Sequence, residues 1–143
     1  MTDGPQIEVT QPGHVRRTRV RVRYAETDQM GFAYYGNYLT WFEVARVEWL
    51  RQGGWTYRDM EQEGTSLPVI EAHCEYRQPA RYDDELEIAA RGVLLSPVRI
   101  RFDYDVVRVA DNSVAATGHT VHAGMDARGK PCRLPERVRE MLS

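Results

Sequence analysis

Residues 38–52, YLTWFEVARVEWLRQ, place Tyr38, Leu39, Trp41, Phe42, Val44, Ala45, Val47, Trp49 and Leu50 almost all the way around a helical axis. Thr40, Glu43, Arg46 and Arg51 leave a narrow polar stripe. Such a helix is not stable on a surface, so other parts of the chain must wrap it on most sides. Asn37 is placed as its N-cap, and Gly53 and Gly54 as its stop.

The material available for the wrapping is mostly strand. Before the helix, Thr18, Val20, Val22 and Tyr24 alternate with Arg19, Arg21 and Arg23. After it, Ile70, Ala72, Cys74 and Tyr76 alternate with Glu71, His73, Glu75 and Arg77, and Leu86, Ile88 and Ala90 continue the period. Val98, Ile100, Phe102, Tyr104 and Val106 form the next alternating run, the turn ADNS follows, and residues 114–125 make the last. DARGKP is a further turn, and Pro135 opens a short closing helix.

One strand, one very apolar helix and four closely connected strands specify an α+β chain, with a five-stranded antiparallel sheet curled around one long central helix. A sheet wrapped in this way still exposes an edge. Pairing edges across a two-fold axis removes the exposure, so a homodimer is expected, with a homotetramer also open. Residues 1–14 hold two Pro and two Gly with little apolar periodicity and are expected to be a flexible tail; residues 15–143 are expected to be a single domain.

Charge excludes some functions. The 19 basic and 21 acidic side chains leave a net charge of −2, which gives no strong field for steering the chain to nucleic acid or an anionic membrane. Cys74 and Cys132 suggest neither a disulfide scaffold nor a zinc site. The first residues lack a signal-type apolar run, and nothing approaches the roughly 20 apolar residues of a membrane span. The cytoplasm is the expected compartment.

The chemistry is concentrated in residues 26–38, ETDQMGFAYYGNY, where carboxylates and two glycines sit among aromatics just before the helix. Unpaired N–H groups and the positive end of the helix dipole meet there, so a carbonyl can be polarised or an oxyanion stabilised. Asp28 could attack or activate water beside them. The same residues also read as a turn, with Asp28 as a turn residue, Gly31 and Gly36 supplying positive φ, and the tyrosines in the core. Spacing alone leaves both readings open.

The run RVRYAETDQMGFAYYGNYLTWFEVAR resembles the signature of the 4-hydroxybenzoyl-CoA thioesterase family, a branch of the hotdog superfamily. Tyr24, Thr27, Asp28, Gly31, Tyr34, Tyr35, Asn37, Tyr38 and Arg46 occupy the positions of that pattern, and RQPARYDDELEI resembles its strand pair. The likeness runs from Val15 to about Val107. It implies a hotdog fold and hydrolysis of an acyl-CoA thioester to free acid and CoA. Asp28 would be the catalytic carboxylate, as nucleophile or general base, and the Tyr35 backbone N–H would polarise the thioester carbonyl.

The resemblance further implies that Gly31, Phe32, Tyr34, Asn37 and Tyr38 meet the substrate. Thiolate is a good leaving group, so neither metal nor cofactor is expected. Where the family carries basic residues for the CoA phosphates, this chain has GVLLSPVRIR, which leaves Arg91, Arg99 and Arg101 as candidates; Arg99 is the one assigned.

Glu26 and Glu43 compete with Asp28, although Glu43 also reads as an ion-pair partner of Arg46. His14, His73, His119 and His122 have no partner identifiable from spacing. A hotdog dehydratase would pair its acid with a following His, and none comes between Asp28 and His73. A module that binds an acyl-CoA or acyl-carrier-protein thioester without catalysis is the alternative. Tyr34, Tyr35, Phe32, Trp41, Trp55 and Tyr57 would suit an aromatic acyl group or an aliphatic one.

Overall fold

A computed structural model describes residues 15–142, so the expected tail at residues 1–14 lies outside the described residues. Strand β1 (Val15–Arg21) leads through a 3-10 turn (Tyr24–Glu26) to helix α1 (Asn37–Gln52). Then come α2 (Tyr57–Gln62), β2 (Thr65–Ser66), β3 (Val69–Tyr76), β4 (Glu85–Ser96), β5 (Arg99–Arg108), β6 (Ser113–Ala123), β7 (Met125–Asp126) and α3 (Glu136–Met141). Five strands form one antiparallel sheet in the order β1-β4-β5-β6-β3, and β2 pairs with β7. No helix among the described residues is long and apolar enough to cross a membrane.

Helix α1 lies against the sheet and is fixed there by aromatics. Phe42 stacks on Tyr104 at 4.2 Å and 3°, and Trp49 meets Phe102 edge-on at 5.3 Å. Leu86, Ile88, Ala90, Ile100, Phe102, Tyr104 and Val106 are all buried on that side, as the alternation requires.

The wrapping is less complete than the apolar wheel requires. Leu39 remains 44% exposed and Val44 38%, on parts of the helix that no element among the described residues covers. Val69 and Ile70 are exposed on β3, an edge strand of the sheet.

Two local expectations change, and one element is new. Tyr24 leaves the strand and is 77% exposed, because Glu26 accepts the Arg23 N–H at 2.8 Å and turns the backbone. Asn37 is not the cap of α1 but its first residue; Gly36 takes the N-cap position with no side-chain hydrogen bond. Helix α2 falls between Gly54 and Ile70, where the sequence reading assigns no element. Its signal is a capping box, in which Asp59 N–H donates to Thr56 Oγ1 at 3.1 Å and Thr56 N–H to Asp59 Oδ2 at 3.0 Å.

A buried polar chain runs between α1 and the sheet. Arg46 donates to the Tyr104 hydroxyl at 3.3 Å and also bonds Tyr57. Tyr104 shares a hydrogen with Thr120 at 2.7 Å, Thr120 lies 2.9 Å from His122 Nε2, and His122 Nδ1 lies 3.0 Å from the Leu67 carbonyl. Burial, reinforced by Arg46 and opposed by the Leu67 carbonyl, lowers the His122 pKa from 6.5 to about 4.

The unfolded chain therefore binds a proton at His122 that the folded chain refuses. This contribution is fully present above about pH 6.5 and is lost as the pH falls toward 4. Urea unfolding of the wild type at pH 7 and pH 5 is expected to show the loss, with a slope of at most about 1.4 kcal/mol per pH unit from this group. In His122→Gln the same interval should be flatter; equal slopes would remove His122 as the cause.

Candidate active site

Between the 3-10 turn and α1 the chain folds into a tight loop. Asp28 N–H donates to the Phe32 carbonyl at 2.8 Å and Gly31 N–H to the Asp28 carbonyl at 3.0 Å, with Gly31 at φ 82°. That positive φ is where glycine is needed. Single bridges Thr27 to Ala33 and Phe32 to Arg81 tie the loop to itself and to the segment before β4. The Arg81 guanidinium caps the Phe32 ring at 4.6 Å.

Asp28 serves the turn with one oxygen only. Its Oδ1 accepts the Met30 N–H at 2.9 Å and the Phe32 N–H at 3.2 Å. Its Oδ2 takes no hydrogen bond among the described residues. The turn reading and the catalytic reading are thus compatible, since the turn orients the carboxylate and leaves one oxygen available. A cavity of about 370 Å³ opens beside it, lined by Asp28, Met30, Phe32, Ala33, Tyr35, Tyr38, Tyr76, Arg77, Gln78 and Pro79.

The start of α1 forms part of the same wall. Tyr34 N–H donates to the Glu26 carbonyl at 2.8 Å and Asn37 N–H to the Tyr34 carbonyl at 3.0 Å, whereas the Tyr35 N–H meets no acceptor among the described residues. Asn37 Nδ2 donates to the Glu26 carbonyl at 2.7 Å, which fastens the loop to the helix instead of capping it. An uncapped helix start next to a carboxylate can polarise a carbonyl while the carboxylate attacks it or activates water. Burial raises the pKa of the neighbouring Tyr38 phenol, so it stays neutral.

The expected site residues therefore separate into groups. Asp28, Phe32, Tyr35 and Tyr38 come together around the cavity. Gly31 and Asn37 shape and anchor the loop, and Tyr34 packs on Tyr35 at 4.6 Å outside it. Arg99 lies at the opposite end of the sheet: it pairs with Ser96, at the far end of β4 from the Glu85 end where the loop docks. At about 3.3 Å per residue that is roughly 35 Å away within one chain.

Glu26 turns both carboxylate oxygens back to Arg23, at 2.8 and 3.4 Å. Glu43 lines a different, smaller pocket with Arg46, Val69 and Thr120, and Arg46 points inward to tyrosines and not to Glu43. Trp55 and Tyr57 pack against the core instead of lining the cavity. Sequence reading did not assign Tyr76, Arg77, Gln78 and Pro79 to the site. The only available signal was their position at the start of the RQPARYDDELEI run and just before it.

The thioesterase-like superfamily profile matches residues 22–142. The chain belongs to that superfamily. An Escherichia coli acyl-CoA thioester hydrolase, YbgC, is 30% identical over 123 residues, 85% of this chain and 91% of that protein. An Aquifex aeolicus protein named as an esterase is 36% identical over 124 residues, covering 87% of this chain and 94% of its own length. Among solved structures, the DHNA-CoA thioesterase from Staphylococcus aureus superposes with a TM-score of 0.80 at 34% identity, covering 84% of this chain and 80% of that one. The sheet and the helix laid across it are the hotdog fold of the superfamily.

Proposed function

We propose that this chain hydrolyses acyl-CoA thioesters to free acid and CoA, with Asp28 as the reacting carboxylate. The observation that carries the proposal is the division of labour on Asp28: two amides hold Oδ1, Oδ2 takes no hydrogen bond among the described residues, and the residue lines the cavity near an uncapped helix start. The thioester carbonyl would accept the Tyr35 N–H. Asp28 would then attack the carbonyl carbon with loss of CoA thiolate, giving a mixed anhydride that water opens, or would take a proton from the attacking water. Phe32, Tyr35, Tyr38 and Tyr76 offer the acyl group an aromatic wall.

The names of the E. coli and S. aureus relatives support an acyl-CoA substrate for this chain. Within one chain, Arg77 and not Arg99 is the arginine beside the cavity. The test is thiol release from short, medium, long and aromatic acyl-CoAs. Binding without release would make the chain a thioester-binding module.

The proposed assembly is a homodimer, because Val69 and Ile70 on edge strand β3 and Leu39 and Val44 on α1 are apolar and uncovered. Light scattering is expected to give a mass near twice the 16.5 kDa of the chain. A monomer at micromolar concentration would contradict this. The proposed compartment is the cytoplasm, on the two free thiols Cys74 and Cys132.

A further inference from the structure

The uncapped start of α1 has one side-chain tether to the strand behind it. The Tyr76 hydroxyl donates to the Tyr35 carbonyl at 2.9 Å, across 41 residues of sequence. The other bond to that carbonyl, from the Tyr38 N–H within the first turn, is longer at 3.3 Å. Tyr76 also sets its ring edge-on to Tyr35 at 6.2 Å and to Tyr38 at 5.1 Å.

The two ends of the tether differ in rigidity. Tyr76 closes β3 and pairs with Ala116 of β6, and the Arg77 and Gln78 N–H groups that follow both donate to the Ala115 carbonyl, at 2.8 and 3.2 Å. Tyr35, by contrast, is 63% exposed on the loop, and its own N–H is bonded to nothing among the described residues. The Tyr35 carbonyl shares its planar unit with the Gly36 N–H, whereas the Tyr35 N–H lies in the unit before it, with the Tyr34 carbonyl that the Asn37 N–H holds at 3.0 Å. The two units meet at the Tyr35 Cα, so fixing the second restricts ψ of residue 35 and with it the angle at which the first, and its N–H, can stand.

We infer that Tyr76 is a positioning residue for thioester hydrolysis: its hydroxyl ties the Tyr35 carbonyl to the end of β3 and so aims the Tyr35 N–H at the thioester carbonyl. The inference rests on the thioesterase reading above. A donor used in this way has to keep its proton. Tyr76 is 48% exposed, and partial desolvation, with the neighbouring Cys74, Tyr38 and Tyr35 adding to it, raises its phenol above the ordinary tyrosine value, so it donates across the working pH range. An oxyanion donor is effective only when held in place before the charge develops, and small misplacements of such groups are costly in rate.

Tyr76→Phe keeps both ring contacts and the cavity wall and removes the hydroxyl, and with it both the bond to the Tyr35 carbonyl and the contact with the Cys74 thiol. Steady-state hydrolysis of the best acyl-CoA is expected to show kcat lower by about tenfold and KM within about twofold of wild type, with the melting temperature nearly unchanged. Tyr76→Leu, which also loses the ring, should raise KM as well. Independently of turnover, amide exchange at residues 35–38 should be at least about fivefold faster in Tyr76→Phe.

Unchanged kcat in Tyr76→Phe, while Asp28→Asn is inactive, would overturn the inference and leave the thioesterase reading standing. Unchanged amide exchange would overturn it by removing the tether. A wild type silent toward every acyl-CoA would overturn the thioesterase reading and this inference together.

Discussion

Trp49→Ala is expected to destabilise the fold by about 3–5 kcal/mol, the usual range for deleting a fully buried large aromatic. Trp49 has no exposed surface, meets Phe102 edge-on at 5.3 Å and carries the Arg16 guanidinium 4.3 Å above its ring. Gly92 on β4 is cut to fit it, since a Cβ there would lie 2.9 Å from the indole. The cavity left by alanine cannot refill, because the sheet beneath is held by β4 and β5 pairing over most of their length. A domain of this size has a total stability of about 5–15 kcal/mol, so the variant should unfold at a much lower urea concentration. A shift below about 1 kcal/mol would mean that α1 is not anchored through Trp49.

Asp28→Asn is expected to lower kcat by about 10²–10⁴ while leaving the fold intact, the range for removing a general base. Asparagine keeps an Oδ1 that accepts the Met30 and Phe32 amides, so the turn and Gly31 survive. Its Nδ2 replaces the free Oδ2 and can neither attack a carbonyl nor accept a proton from water. Glu26→Gln is the matched control. Glu26 is bonded to Arg23 outside the cavity, so its substitution should change kcat by no more than about threefold.

Much of the fold follows from local pattern. The alternation of Ile100, Phe102, Tyr104 and Val106 and the continuous apolar wheel of residues 38–52 place strand and helix without reference to anything distant. Expectations that depended on what a neighbour does went less well. Tyr24 continues the strand period, but the Glu26 carboxylate redirects the backbone. Asn37 has the right chemistry for a cap, yet the Glu26 carbonyl takes its side chain. Leu39 and Val44 look like core because periodicity cannot say whether any surface covers them.

The site divides in the same way. Asp28, Phe32, Tyr35 and Tyr38 are close in sequence and carry the family resemblance, so one reading of the loop finds them together. Tyr76 reaches Tyr35 only through the pairing of β3 with β6, and strand alternation reports its face but not its hydrogen bond. Arg99 shows the converse: a residue type suited to phosphate, placed by topology at the wrong end of the sheet for the Asp28 of its own chain.

The most direct measurement is thiol release from a panel of acyl-CoAs by wild type and Asp28→Asn in parallel, with circular dichroism to check folding. The expected result is turnover by the wild type on at least one acyl-CoA and its collapse in a folded Asp28→Asn protein. Turnover that survives in the folded variant, or a wild type that binds acyl-CoA and releases no thiol, would contradict the assignment of Asp28 as the reacting carboxylate.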